Sequence, residues 1–188
     1  MDGSGEMTGD STRCVHSSLD PEVTTGSVHT PIFQTSTYVQ KDFSEHLGYE
    51  YARGDNPTRN ALQRALAEME SPHQEAFGFC FGSGMAAITT ISQMLKQGDH
   101  VIACDDLYGG TVRLFDQIAS RFGIETTYSP LKSGDLADIV RENSKILWLE
   151  SPTNPLLTVH DIKSLAAEAK KHGLIVVVDS TFATPILQ

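Results

Sequence analysis

The sequence predicts an α/β protein with a mostly parallel sheet flanked by helices. Short apolar runs alternate with amphipathic segments, in the βαβαβ order of a doubly wound sheet. The run at residues 174–178 is unbroken and mostly β-branched, which is typical of a strand buried on both faces. Polar residues follow several of these runs, at the edge of the sheet where open α/β folds bind ligands.

Composition and charge restrict the possible classes of protein. The 188 residues suffice for one sizeable domain, and 39% hydrophobic and 20% charged residues suit a soluble globular protein. A net charge of −10 argues against nucleic acid or an anionic membrane as the main partner. The three cysteines have no paired or metal-ligand spacing, and the polar N-terminus lacks a secretory signal. We therefore expect reduced thiols, no metal and a cytoplasmic location.

Residues 1–48 are predicted to form an N-terminal arm that is partly flexible. Residues 1–27 are rich in Gly, Ser, Thr and Asp, a composition that favours a flexible or extended segment. The following residues include Ile32, Phe33 and Tyr38, whose apolar side chains need a covering surface. A neighbouring subunit or the same domain could provide it.

Residues 49–188 are predicted to begin the α/β domain. Asn56 followed by Pro57 is a helix-start pattern, and the apolar residues of 62–69 recur at helical spacing, which predicts one buried face. Tyr51 and Arg53 precede this helix. They are either ordinary loop residues or a pair suited to gripping a phosphate.

The remaining elements are predicted from the alternation of apolar and amphipathic segments. We expect strands at 76–81, 100–105, 124–128, 145–149 and 174–178, and helices at 85–95, 109–122, 136–140 and 161–172. The Gly-Ser-Gly turn at 82–84 joins a strand to a helix. Such a turn either is structural or directs free backbone N–H groups at an anion.

Four loops are expected to converge on the carboxyl edge of this sheet. They carry the 82–85 turn, Tyr108, residues 150–154 with Glu150 and Asn154, and Asp179. Together they offer an anion cradle, an aromatic face and a carboxylate. Pyridoxal 5'-phosphate is a flat, phosphorylated ring whose nitrogen requires an acidic partner, so this cofactor fits the set.

The chain resembles the Cys/Met-metabolism family of pyridoxal-phosphate enzymes, which includes cystathionine γ-synthase and the cystathionine lyases. The resemblance rests on six motifs in the family's order: TGSVHTPIFQTSTY, YARGDNPTRNALQ, FGSGMAAI, YGGTVRLF, ESPTNP and VVVDSTFATP. It implies the large domain of the PLP-dependent transferase-like fold (fold type I). It also implies a homo-oligomer, a homotetramer in the family, with each active site shared across a dimer interface.

The resemblance also implies roles for residues around the cofactor's phosphate. Tyr51 and Arg53 match the pair that reaches the phosphate bound in the neighbouring subunit. Gly84 and Met85 match the backbone donors to the phosphate.

A second group of matches surrounds the cofactor's ring and the substrate. Tyr108 matches the catalytic aromatic residue that stacks on the pyridine, and Arg113 a substrate-side residue. Asn154 matches the partner of the phenolic oxygen. Asp179 matches the carboxylate that keeps the ring nitrogen protonated, and Thr181 its neighbour under the ring.

The chain departs from the family's pattern in one respect. The family's Schiff-base lysine follows a Ser-x-Thr pattern downstream of the segment that begins at Asp179, and no lysine of this chain has that context. We therefore expect an N-terminal, truncated part of a longer enzyme, inactive by itself. The family's strand order places later strands between residues 76–81 and 174–178. This order predicts a gap or exposed apolar edges there, and no direct pairing of the two strands.

The activity that the resemblance implies is γ-replacement or γ-/β-elimination at C–S bonds of cystathionine, homoserine esters or related sulfur amino acids. Gly109 stands where methionine γ-lyases carry Cys, which disfavours that member. The alternative is a non-catalytic binding or assembly protein that retains half of the fold. A nicotinamide-dependent enzyme is disfavoured because its glycine fingerprint is absent from the sequence.

Overall fold

The computed structural model describes residues 9–17, 19–132 and 135–188. The start of the predicted flexible segment, residues 1–8, lies outside the described residues. The chain divides into two compact units, Met1–Cys80 and Phe81–Gln188. The predicted domain boundary between residues 48 and 49 stays a prediction.

In its described residues, the first unit contains two helices and a small hairpin. They are α1 (Asp10–His16), β1 (Gln40–Asp42), β2 (Glu45–His46) and α2 (Pro57–Glu70), with β1 and β2 antiparallel. The predicted start of α2 is confirmed, because the Asn56 side chain accepts a hydrogen bond from the Thr58 amide at 2.9 Å and Pro57 is the first helical residue. Thr58 also accepts from the Phe33 amide, which ties part of the arm to the start of this helix.

The predicted buried face of α2 is wrong. The side chains of Leu62 and Leu66 are 53% and 41% exposed, and none of the residues of α2 is buried. Helical periodicity determines which side chains share a face of the helix. It does not determine whether another element covers that face.

The predicted strand at residues 76–81 is also wrong, because the segment forms no strand and Phe77 and Phe79 are 78% and 76% exposed. A strand needs a hydrogen-bonded neighbour, and this segment instead runs along α2. The Cys80 amide donates to the Gln63 side chain at 3.0 Å. A Cβ at Gly78 would lie 2.1 Å from the Gln63 carbonyl oxygen, so the close approach requires glycine. The predicted gap between this segment and residues 174–178 stays a prediction.

The second unit confirms the predicted α/β class. Its sheet is formed by β3 (His100–Cys104), β4 (Glu125–Ser129), β5 (Ser144–Glu150) and β6 (Ile175–Asp179), all parallel, in the order β4-β3-β5-β6. Its helices are α3 (Gly84–Ser92), α4 (Gly109–Arg113), α5 (Asp135–Ile139), α6 (Ile162–Lys171) and α7 (Thr184–Leu187). The chain continues from α4 through one π-helical segment, Leu114–Ile118, and one 3-10 segment, Ala119–Phe122.

The core of this unit lies along the two central strands, β3 and β5. Ile102, Leu147 and Trp148 are almost completely buried, and the Trp148 ring meets Phe115 edge-on at 5.4 Å between centroids. By contrast, β6 is an edge strand whose residues are half-buried, with Ile175 46% exposed. The prediction that this strand is buried on both faces is therefore wrong, and the prediction of an exposed apolar edge is confirmed.

A buried histidine joins three strands at the amino edge of the sheet. The ring of His100 is inaccessible to solvent; its Nδ1 lies 2.8 Å from Ser144 Oγ and its Nε2 2.8 Å from Thr127 Oγ1. Burial lowers the pKa of His100, and the nearby Arg141 charge lowers it further. The imidazole is thus held neutral between two hydroxyl groups, away from the carboxyl edge of the sheet.

Candidate functional site

A cavity of about 340 Å³ opens at the carboxyl edge of the parallel sheet, within the second unit. Because β3, β5 and β6 are adjacent and parallel, the loops that follow them meet at this edge, where the start of α3 joins them. Six residues that the sequence predicted for the site line the cavity: Gly84, Met85, Tyr108, Asn154, Asp179 and Thr181. The prediction that Tyr108 and Asp179 lie at the same edge is therefore confirmed.

The first turn of α3 presents free donors to the cavity. Ser83 caps the helix: its hydroxyl accepts from the Ala86 amide at 3.1 Å, and its carbonyl accepts from the amides of Ala86 and Ala87. In the described part of the chain, the amides of Gly84 and Met85 have no hydrogen-bond acceptor. A Cβ built on Gly84 would meet no atom within 4 Å, so the space beside these amides is open. Two free N–H groups at a helix N-terminus favour an anion.

The ring of Tyr108 packs over the start of α4. A Cβ on Gly110 would lie 2.4 Å from Tyr108 Cε1 and 2.7 Å from Met85 Sδ, so only glycine allows this close approach. The side chain of Tyr108 is 42% exposed, and its ring lines the cavity. An aromatic face is thereby held beside the N-terminus of α3.

Glu150, the last residue of β5, connects two loops of the site. Its Oε2 accepts from the Tyr108 amide at 2.9 Å and its Oε1 from the Asn154 amide at 2.7 Å. The residue is only 4% exposed, and burial raises the pKa of its carboxyl group. Glu150 was expected at the carboxyl end of its strand, but no role was predicted for it. Its place as the first residue of the ESPTNP motif was the signal in the sequence that could have pointed to a role.

Asp179, the last residue of β6, lies beside Glu150 in the strand register. Its Oδ1 accepts from both the amide and the hydroxyl of Thr181, at 3.1 and 2.5 Å. Because both bonds end on Oδ1, Oδ2 is the oxygen that would accept a hydrogen bond from a further donor in the cavity. In the described residues, no lysine or arginine lines this cavity, so its ionisable side chains are the two carboxyl groups and the Tyr108 phenol.

The loop after β5 is held on its other side by Asp106. Asp106 Oδ2 accepts from the Thr153 hydroxyl and, at 3.1 Å, from the Leu156 amide. The Ser151–Pro152 and Asn154–Pro155 peptide bonds in this loop are both cis. Asp106 and Glu150 thus join the same two loops, and only Glu150 lines the cavity.

Three predicted residues do not line the cavity. Arg113 is exposed at the end of α4, and one of its guanidinium nitrogens lies near Gly109. Tyr51 and Arg53 belong to the first unit, where the Arg53 guanidinium lies 5.0 Å from the Tyr51 ring centroid. Their roles towards a cofactor or substrate stay predictions.

A family model described as Cys/Met metabolism PLP-dependent enzyme matches residues 11–188. The chain belongs to this family. The cofactor of the family is pyridoxal 5'-phosphate.

The curated relatives of this Cys/Met-metabolism chain carry several related activities in their names. It is 44% identical to a probable cystathionine gamma-synthase of Herpetosiphon aurantiacus, over 96% of this chain and 56% of the relative. It is 43% identical to a cystathionine gamma-lyase of Bacillus subtilis, over 94% of this chain and 46% of the relative. The chain spans about half the length of the curated relatives it matches.

Solved structures of the family share the fold of this chain. The structure of metB from Corynebacterium glutamicum matches with a TM-score of 0.90 and 36% identity, over 98% of this chain and 48% of that one. A cystathionine gamma-lyase from Lactobacillus plantarum, complexed with L-serine, matches with a TM-score of 0.88 and 36% identity. The match covers 94% of this chain and 46% of that one.

The residues of the cavity fit the family's cofactor. The free amides of Gly84 and Met85 suit its phosphate, the Tyr108 ring suits its aromatic face, and Asp179 suits a protonated ring nitrogen. A volume of about 340 Å³ lies within the range of small-molecule sites, about 300–1,000 Å³.

Proposed function

We propose that this chain forms the cofactor-holding part of a pyridoxal-phosphate enzyme that acts on C–S bonds of sulfur amino acids. The reaction is γ-replacement or γ-/β-elimination on cystathionine, homoserine esters or related substrates. The observation that carries the proposal is the single cavity lined by the α3 amides, the Tyr108 ring and the Asp179 carboxylate. The names of the relatives, which include cystathionine gamma-synthase and both lyases, support the substrate class.

When bound, pyridoxal phosphate supplies an electron-withdrawing ring that stabilises negative charge at the substrate's α-carbon. The residues that line the cavity have separate roles in holding the cofactor. The first turn of α3 binds the phosphate, and Tyr108 orients the ring. Asp179 keeps a proton on the ring nitrogen through a charge-assisted hydrogen bond, which contributes about 1.5–3 kcal/mol. Asn154 lines the cavity from the loop after β5, and its side chain would bind the phenolic oxygen of the cofactor.

The reactive amine and a cation for the phosphate are proposed to come from outside this cavity. In the described residues, none of the side chains that line it is a lysine or an arginine. Arg53 is exposed and Tyr51 is 40% exposed, so both are accessible for the predicted contact with a phosphate in a neighbouring subunit. Arg113 remains a proposed substrate-side residue. It is exposed, so its guanidinium is free to bind the carboxylate of a substrate.

Cofactor binding by the purified chain tests the proposal directly. Pyridoxal phosphate is titrated into the wild type and into Asp179→Asn, and the dissociation constants are measured by equilibrium dialysis. We expect Asp179→Asn to weaken binding by about 10- to 100-fold, because the charge-assisted bond is lost. Asp138→Asn, an exposed aspartate on α5, is the matched control. Equal affinity of the wild type and Asp179→Asn contradicts the proposed role of Asp179.

The proposed source of the amine has a separate test. The chain is incubated with the cofactor, treated with borohydride and analysed by mass spectrometry. We expect the cofactor to remain removable by dialysis and no turnover of cystathionine by the chain alone. Stoichiometric fixation of the cofactor to a single lysine of the chain, as opposed to partial labelling scattered over its exposed lysines, would refute this part of the proposal.

A further inference from the structure

The carboxylate of Glu150 is hydrogen-bonded to two different loops of the second unit. Each of its two oxygens accepts one backbone amide, from Tyr108 on the loop after β3 and from Asn154 on the loop after β5. Its own amide is also engaged, donating to the buried Cys104 sulfur at 3.3 Å. The side chain is therefore anchored at one end and bonded at the other to the two loops that carry predicted cofactor contacts.

We propose that Glu150 is the positioning residue that fixes Tyr108 and Asn154 across the cavity, and that it requires both carboxylate oxygens to do so. This inference rests on the proposed function, because it concerns the residues that hold the cofactor. Glu150 acts through the two backbone amides, so it has no direct part in the chemistry.

The comparison with Asp106 explains why both oxygens matter. Asp106 joins the same two loops, but its two bonds converge on Oδ2 alone. An asparagine at 106 therefore retains an oxygen that can accept both donors. A glutamine at 150 replaces one acceptor by an NH₂ group, which would face the N–H of Tyr108 or Asn154 and leave that donor without a partner.

The surroundings of Glu150 also disfavour its ionised form. The residue is buried, Asp179 lies beside it in the strand register and Asp106 is near, and all three effects disfavour the ionised form. The two amide bonds favour that form. A neutral side chain of similar size would fill the same space without the cost of burying a charge. Packing alone therefore does not account for a glutamate at this position.

The test compares Glu150→Gln with its matched control, Asp106→Asn, in the complete 188-residue chain. Amide hydrogen exchange at residues 108 and 154 is measured by NMR, and pyridoxal phosphate affinity by equilibrium dialysis. We expect Glu150→Gln to lose about tenfold or more in protection of at least one of the two amides and about tenfold in affinity. We expect Asp106→Asn to retain both within about threefold.

The outcomes separate this inference from the proposed function. Wild-type exchange and affinity in Glu150→Gln overturn the positioning role. A wild-type chain that does not bind pyridoxal phosphate overturns the proposed function, while amide exchange still decides whether Glu150 positions the loops. If Glu150→Gln does not fold, the wild type is titrated by NMR instead. The amide signals of Tyr108 and Asn154 must then shift together as Glu150 is protonated, and independent titration of the two signals refutes the inference.

Discussion

The packing of Tyr108 over α4 predicts that two neighbouring glycines respond in opposite ways to the same substitution. Gly109 and Gly110 are the first two residues of α4. Alanine at either position reduces the freedom of the unfolded chain and stabilises the fold by about 0.4–1 kcal/mol when the new methyl group fits. A Cβ at 109 would meet only the flexible end of Arg113, at 3.3 Å. A Cβ at 110 would overlap the Tyr108 ring at 2.4 Å and Met85 Sδ at 2.7 Å.

The magnitude follows from the size of this overlap. Ordinary van der Waals contact begins at 3.4 Å, so the ring must move by 3.4 − 2.4, about 1 Å, to accommodate Gly110→Ala. Overpacking of this kind costs about 1–3 kcal/mol. Because both variants share the gain in the unfolded state, the difference between them isolates the overlap. We expect Gly110→Ala to be about 1–3 kcal/mol less stable than Gly109→Ala.

Urea unfolding at equilibrium measures this difference, and titration with pyridoxal phosphate measures its consequence at the site. If Tyr108 stacks on the cofactor as proposed, a ring displaced by about 1 Å would no longer meet it in the same place, so we expect weaker binding by Gly110→Ala than by Gly109→Ala. Equal stability and equal affinity of the two variants would show that the Tyr108 ring does not pack against Gly110 and is not held as an aromatic face of the cavity.

Substitutions at two further positions probe the sheet and the first turn of α3. The folded chain resists protonation of His100, whereas the unfolded chain accepts the proton, so His100 by itself should lower the free energy of unfolding by up to about 1.4 kcal/mol per pH unit as pH drops below about 6.5. His100→Asn should flatten this dependence in urea unfolding at several pH values; an unchanged slope would contradict it. Ser83→Ala removes the cap of α3 and should cost about 1 kcal/mol of stability in the same assay. Ser83→Asp, which retains an acceptor at this position, should recover most of that loss, and a loss as large as that of alanine would refute the capping role.

Much of the architecture follows from local patterns in the chain. The apolar runs at β3, β5 and β6 and the helix cap at Asn56 were predictable, whereas the capping role of Ser83 emerged only from the structure. Strands joined by helical crossovers are parallel, and their carboxyl ends share one edge, so placing Tyr108 and Asp179 together needed only the order of elements.

Other features depend on which elements become neighbours. Residues 76–81 have the composition of a strand but form none, since a strand exists only when another strand accepts its hydrogen bonds. β6 is half-exposed despite its apolar, β-branched sequence because it lies at the edge of the sheet, with a strand neighbour on one side only. The helical face of Leu62 and Leu66 was recognisable from its spacing, while its exposure was not.

The sequence by itself determined the family, the helix and strand segments of the second unit and the set of polar residues at the carboxyl edge, because these depend on local residue patterns. Only the tertiary structure decided that the two oxygens of Glu150 hold two loops and that Gly110 makes room for the Tyr108 ring. Those contacts join residues from different elements, at distances of a few ångströms that no spacing along the chain specifies.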